Sequence, residues 1–186
     1  MVGTVYQVQP QPPDPANTKW FPAGAVTFGV EYRDVDPEGL AATYESDPEA
    51  WAEIVANSPE GGFADTGVSL HVNGTEDGHE YLRFDLFDDD PHYHYVWPSG
   101  DHNNVVPFDA VAGGDVFPFV FGCLRQRLDT MLRHAQGDAV ADQLSVDVVD
   151  PVIDTIEKLA YEARDAQRVG ASLVDQGSEA APPVGR

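Results

Sequence analysis

Residues 79–97 read HEYLRFDLFDDDPHYHYVW, and this stretch decides the fold. Apolar and polar residues alternate on both sides of the segment DDDP, as they do in half-buried β-strands. The DDDP segment is typical of a turn, because aspartate favours the start of a turn and proline cannot donate to a β-ladder. We therefore predict a hairpin closed by residues 88–91, with Asp85 directly opposite His94.

The predicted hairpin has one apolar and one polar face, because successive side chains of a strand point to opposite sides. The apolar face carries Leu82, Phe84, Leu86, Tyr93, Tyr95 and Trp97. The polar face carries Arg83, Asp85, Phe87, His92, His94 and Val96. The run GVSLHVN at 67–73 extends the pattern, with Leu70 opposite Leu82 and with Ser69 and His71 on the polar side. One register thus sorts three strands into two faces, which predicts an antiparallel β-meander.

Helices are predicted on both sides of this sheet region in the chain. Asp36-Pro37, Asp47-Pro48 and Asp150-Pro151 each combine a good N-cap with a proline at the first helical position. An apolar stripe at helical spacing predicts a long helix over 118–136, capped by Gly137. The helix from Asp150 is expected to end near Gly170. The predicted fold class is α+β: an antiparallel meander sheet with one face covered by two long helices plus short helices.

The predicted sheet and helices form one domain between two irregular ends. Residues 1–18 are rich in proline and glutamine and are predicted to form an extended N-terminal arm. Residues 19–169 form the single α+β domain. Residues 170–186 are rich in Ser, Gly, Ala and Pro, and we expect a disordered C-terminal tail.

Charge narrows the expected partners. Thirty-two acidic residues against ten basic ones give a net charge of -22. A surface this negative repels phosphate backbones and anionic lipids, so we expect no nucleic-acid and no membrane binding. It would attract a basic protein partner, although adaptation to a salty cytoplasm or a high-GC genome gives the same composition. The single cysteine, Cys123, excludes an internal disulfide, and the first residues lack a signal-peptide pattern, so we expect a cytoplasmic protein.

The polar face of the hairpin holds the candidate site. Imidazoles two residues apart at His92 and His94, with the carboxylate of Asp85 on the neighbouring strand, have the arrangement of three metal ligands on one side of an ion. Imidazole and carboxylate ligands suit Zn, Fe(II), Mn or Ni. Arg83 on the same face is predicted to bind an anionic group of a substrate. Further candidates for a fourth ligand or an outer contact are His71, Asp88, Asp90 and His102.

Two functional hypotheses follow. The first is a metal-binding protein whose centre serves a small metal-dependent enzyme. The second is a non-catalytic acidic protein, comparable to immunity proteins or inhibitors, that binds a basic partner. For the histidines themselves, a plain solvated sheet face or an isolated Asp85–His94 ion pair is the alternative to a metal site.

Overall fold

A seven-stranded antiparallel sheet forms the centre of the described protein, as seen in a computed structural model that covers residues 2–100 and 102–178. Six strands follow one another as neighbours, and the first strand adds to the far edge, giving the order β1-β7-β6-β5-β4-β3-β2. The strands are β1 Thr4–Tyr6, β2 Lys19–Ala23, β3 Val26–Val35, β4 Asp65–Gly74, β5 Glu80–Phe87, β6 His92–Val96 and β7 Asn103–Pro107. The predicted α+β meander is therefore confirmed.

Helices lie on both faces of the sheet. They are α1 Pro37–Thr43, α2 Pro48–Asn57, α3 Ala110–Gly113, α4 Val116–Gln126, α5 Leu128–His134, α6 Asp138–Ala141 and α7 Val146–Ser178. Helices α4, α5 and α7 pack on the apolar face, where they contact β2 to β5. The predicted starts of α1 and α2 are confirmed: the Asp36 and Asp47 carboxylates accept hydrogen bonds from the amides of Gly39 and Ala50 at 2.8 and 3.0 Å.

The hydrophobic core lies between the apolar sheet face and these three helices. Leu82 and Phe84 of β5 are fully buried against it, as predicted. The helices contribute their apolar stripes, and the largest buried side chains on that side are Phe121, Leu124, Leu132, Ile153 and Ile156. Because burial of these large side chains between the two layers stabilises the sheet, the core fixes the positions of β5 and β6, whose other side carries the polar face.

The register of the hairpin differs from the prediction by two residues. Asp85 pairs with His92 and Arg83 pairs with His94, where the sequence predicted Asp85 opposite His94. The ladder ends at the pair Asp85 and His92, which leaves residues 86–91 outside it, and the Asp65 carboxylate on β4 accepts hydrogen bonds from the Asp89 and Asp90 amides at 3.3 and 2.8 Å. A shift of two residues keeps every side chain on its predicted face.

The pairing of β4 with β5 shows the same two-residue shift. Leu70 lies opposite Phe84, where the sequence predicted Leu82. The ladder is irregular between Val72 and Asn73, so the register changes at that point. The apolar and polar faces again stay as predicted.

Two helix predictions are wrong in their bounds. The helix expected over 118–136 is broken at Arg127, whose φ and ψ of -133° and -1° are not helical. At its end Gln136, and not Gly137, has the left-handed conformation, with φ of 64°. The last helix begins at Val146, so Pro151 lies inside it, and it continues past Gly170 to Ser178.

The two ends of the chain are described in part. Residues 179–186 of the predicted C-terminal tail lie outside the described residues. The predicted N-terminal arm pairs with the sheet, since Thr4 to Tyr6 form an edge strand on β7. Within the described ranges, no helix is both long and apolar enough to cross a membrane.

Candidate metal centre

The polar face of the sheet is buried. Its central side chains are at most 7% exposed, namely Ser69, His71, Arg83, Asp85 and His94. The N-terminal arm and helices α1 and α2 cover them: the Tyr44 hydroxyl of the short loop after α1 donates to the carbonyl of Gln9 at 2.9 Å, and Arg83 donates to the carbonyl of Gln11 at 2.7 Å. A solvated sheet face, one of the alternatives for these residues, is therefore wrong.

The three predicted metal ligands come together on this face. Nε2 of His94 lies 3.0 Å from Oδ2 of Asp85, and Nε2 of His92 lies 3.4 Å from the same oxygen. One donor atom from each residue lies within 4.8 Å of the other two. A candidate Asp/His/His metal-binding group is therefore present, and alternation along β6 puts both imidazoles on the side of the β5 carboxylate.

Both imidazole rings are oriented by a hydrogen bond at Nδ1, the nitrogen that does not face Asp85. Nδ1 of His92 is 2.7 Å from the backbone carbonyl oxygen of Asp90, and Nδ1 of His94 is 2.8 Å from Oδ1 of Asn103. These oxygens accept hydrogen bonds, so Nδ1 carries the proton in each neutral imidazole and Nε2 presents a lone pair. Such outer contacts are the usual way in which proteins orient metal-binding histidines.

The Asp85 carboxylate is also oriented by a hydrogen bond from a neighbouring side chain. Its Oδ1 accepts a short hydrogen bond from the Ser69 hydroxyl on β4, which leaves Oδ2 for the two histidines. Burial alone would raise the pKa of Asp85, but contacts with His92 and His94 in their protonated forms outweigh burial and hold this pKa well below its ordinary value. The carboxylate is therefore ionised and aimed at both imidazoles.

The two imidazoles differ in their basicity. Burial lowers the pKa of His94 below its ordinary value, despite the nearby Asp85 carboxylate. Burial also acts on His92, but the hydrogen bond to Asp85 outweighs it and raises the pKa of His92. His94 thus presents an unprotonated Nε2 to the carboxylate near neutral pH.

The remaining sequence candidates lie away from these ligand atoms. His71 binds two other carboxylates, Asp88 is exposed in the turn, and the His102 ring stacks on Trp97 with 4.1 Å between ring centroids. Asp90 contributes its backbone carbonyl to His92. The sequence reasoning missed Asn103, because nothing local in the sequence indicates that β7 places this amide behind His94.

Arg83, predicted to bind substrate, lies in a separate buried network. Its guanidinium is 2% exposed and donates to both carboxylate oxygens of Glu80, at 2.9 and 2.6 Å. His71 bridges Glu80 and Glu31, at 2.6 and 3.2 Å. Burial opposes ionisation of Glu80, but Arg83 and His71 outweigh it and lower the pKa of Glu80 from 4.5 to about 2. Arg83 also donates to the carbonyl of Gln11 in the arm, and its role in substrate binding stays a prediction.

A cavity opens directly over the two histidines. Its volume is about 290 Å³, and His92, His94 and Asn103 form part of its lining. The arm, α1, α2 and β7 supply most of the other walls. A metal ion held by Asp85, His92 and His94 would therefore face this cavity.

Comparison with curated proteins and with solved structures gave no match. A family model described as a domain of unknown function, DUF7700, matches residues 20–160. The match includes all three candidate ligands and the strands that carry them, and it begins after the N-terminal arm. The chain belongs to this family of unknown function, DUF7700.

Proposed function

We propose that Asp85, His92 and His94 bind one divalent transition-metal ion, and that the protein is a metal-binding protein. The observation that carries this proposal is the convergence of two histidine Nε2 atoms on a single buried carboxylate oxygen, at 3.0 and 3.4 Å. Metal–ligand bonds of roughly 2.0–2.2 Å put neighbouring ligand atoms about 3–3.6 Å apart. The two separations between histidine and carboxylate fall in this range, and the three ligand atoms lie within 4.8 Å of one another.

A bound cation also resolves the electrostatics of the cluster. Each Nδ1 already faces an acceptor, so each neutral imidazole points an unshared electron pair at the Asp85 carboxylate. Protons could satisfy both contacts only if two adjacent imidazolium rings were buried, with ring centroids 5.0 Å apart. Burying like charges so close together is unfavourable, whereas one ion bound by all three groups satisfies them together.

The finer proposal is that the centre is catalytic. Three protein ligands leave coordination positions for water or a ligand, as catalytic metal sites require. His92 and His94 line the cavity, so those positions would face it. The chemistry that such an ion supplies is Lewis-acid activation, while this chain's own residues orient the ligands and exclude bulk water. Zinc, iron, manganese and nickel all suit the ligand set.

The test is metal content per chain. The full chain is purified without a histidine tag or chelator, exposed in turn to Zn, Mn, Fe(II) and Ni, desalted, and analysed by plasma mass spectrometry. We expect close to one equivalent of one metal. The variants Asp85→Ala, His92→Ala and His94→Ala should lose at least nine-tenths of it while circular dichroism shows a folded chain.

The matched control is His134→Ala, which removes an exposed histidine on α5 outside the cluster. It should keep the metal. A native chain that holds no metal after every exposure, or three folded ligand variants that all retain it, would overturn the proposal. The hypothesis of an acidic protein that binds a basic partner stays a prediction, because net charge alone identifies no binding surface.

A further inference from the structure

The cavity over the histidines has mostly apolar walls. The N-terminal arm, helices α1 and α2, Phe63 and β7 all contribute to its lining. The apolar contributors include Val8, Pro10, Leu40, Ile54, Phe63 and Val105. Such walls favour a ligand with a large apolar portion, since its burial removes apolar surface from water on both partners.

The size of the cavity sets the size of the ligand. A dry apolar cavity of about 150 Å³ accommodates a benzene ring in another protein. The volume here is about 290 Å³, which leaves room for one ring with a short substituent. The arm beside the cavity is held by Glu53, whose carboxylate accepts hydrogen bonds from the backbone amides of Gln7 and Val8 at 3.0 Å.

The charges around the cavity disfavour ionic ligands. No lysine or arginine is among its described lining residues, and the closest sheet guanidinium, Arg83, is bound to Glu80 and to the arm. An anion would therefore find no basic side chain there, inside a protein whose net charge is -22. A cation would lose its hydration among mostly apolar walls, and the carboxylates of Asp90 at the lining and of Glu53 near Tyr6 would offset that loss only in part.

One polar group is available to a ligand inside the cavity. Tyr6 lines it, and the hydroxyl of Tyr6 makes no hydrogen bond within the described part of the chain. Burial, with the nearby Glu53 and Asp90 carboxylates, raises the pKa of Tyr6, so the hydroxyl keeps its proton at neutral pH. It can donate to an oxygen or nitrogen atom of a bound molecule.

We propose that this cavity binds a small neutral molecule with one apolar ring and one short polar substituent. The polar substituent lies between Tyr6 and the histidines, and the ring lies among the apolar walls formed by the arm, α1 and α2. Whether the polar substituent also binds a metal ion depends on the proposed function. The preference for a neutral molecule with a ring depends only on the residues that line the cavity. The substrate class of the centre is accordingly neutral cyclic alcohols, amides or related compounds.

The experiment compares benzyl alcohol, benzoate and benzylammonium, which share a ring and one carbon and differ in charge. Binding to the full chain, freed of metal by chelation, is measured by protein-observed NMR titration at pH 7. We expect benzyl alcohol to bind at least tenfold more tightly than either ion. Tyr6→Phe should weaken the binding of benzyl alcohol three- to tenfold and leave that of toluene unchanged, because toluene has no group for the hydroxyl to bind.

Two tryptophan variants of α2 locate the ligand. Ile54→Trp puts an indole ring into the cavity and should reduce the affinity for benzyl alcohol at least tenfold. Val55→Trp is the matched control, since Val55 is 52% exposed and does not line the cavity. Equal affinities for the three probes, or full affinity in a folded Ile54→Trp variant, would overturn the inference.

Metal content of the same samples separates this inference from the proposed function. Neutral-selective binding that Ile54→Trp and Tyr6→Phe weaken, in a chain that takes up no metal, would support the ligand class and refute the metal site. A stoichiometric metal with no preference for benzyl alcohol would refute the ligand class and support the metal site. If Ile54→Trp does not fold, the comparison of benzyl alcohol with toluene in Tyr6→Phe decides the matter.

Discussion

Replacing Glu80 by glutamine should strongly destabilise the protein, because Glu80 neutralises a buried guanidinium. Its side chain is 14% exposed and lies 2.6 Å from both Nη2 of Arg83 and Nδ1 of His71. Lowering the Glu80 pKa from 4.5 to about 2 corresponds to about 3 kcal/mol of folding free energy, at about 1.36 kcal/mol per pKa unit. Breaking a buried ion pair by removing one partner costs about 3–5 kcal/mol. The two estimates agree, so we expect Glu80→Gln to lose about 3 kcal/mol at pH 7.

The pH dependence of this loss has a definite sign. A carboxylate whose pKa is lower in the folded state stabilises the fold above its unfolded pKa, and this contribution disappears as the pH falls through the folded value. The window here runs from pH 4.5 down to about 2. The stability difference between the native chain and Glu80→Gln should therefore narrow by about 1 kcal/mol between pH 7 and pH 3.5.

Urea unfolding at both pH values measures this difference. Glu76→Gln, on the exposed turn before β5, is the control and should change stability by less than about 0.5 kcal/mol. If Glu80→Gln costs less than about 1 kcal/mol at pH 7, or if the difference stays constant on acidification, the buried ion network contributes little to the stability of the fold.

Three further results are expected. Burial opposes the protonation of His71, but its two carboxylate partners outweigh burial and raise the pKa of His71 above 6.5. The contribution of protonated His71 to folding stability is therefore complete below pH 6.5 and declines as the pH rises through the pKa of the folded state. His71→Gln should remove this decline from the free energy of unfolding measured in urea between pH 6 and 9. Metal at a hundred times its dissociation constant should stabilise the native chain by about 2.7 kcal/mol and raise its Tm by about 5–11 °C in scanning calorimetry. The His134→Ala variant should show the same increase in Tm, and the His92→Ala variant should show none. In Gly137→Ala the new methyl carbon would lie 2.9 Å from an aromatic ring of β5, so urea unfolding should show a loss of about 1–3 kcal/mol, whereas Gly122→Ala, with open space around it in α4, should be neutral or stabilising.

The faces of the sheet could be predicted from the sequence because they depend only on alternation. Asp85, His92 and His94 reached one side of the sheet even though the predicted pairing was wrong by two residues. A register error of an even number leaves every side chain on the same face. The pairing itself could not be predicted, because the turn also makes contacts outside the hairpin, with the Asp90 amide donating to Asp65 on the neighbouring strand β4.

The burial of the polar face could not be predicted from local patterns. Polar residues at alternate positions usually indicate a solvated face, and here they form two hydrogen-bonded clusters under the arm. The arm is bound there by groups far away in the chain, since Arg83 donates to the carbonyl of Gln11 across 72 positions of sequence. The same distance in sequence hides those walls of the cavity that the arm supplies.

Strand β5 connects the two buried clusters. Arg83 and Asp85 are two positions apart on the same face, one bound to the arm and the other to the histidines. Unpairing Arg83 would therefore loosen the arm that encloses His92 and His94, and the ligands would become exposed to water. The chain has only ten basic residues. One of them, Arg83, is buried and bound to the arm that lies over the candidate metal centre. The candidate ligands lie within the family-matched region 20–160 and the arm of residues 1–18 lies outside it, so the proposed metal site and the segment that covers it come from different parts of the chain.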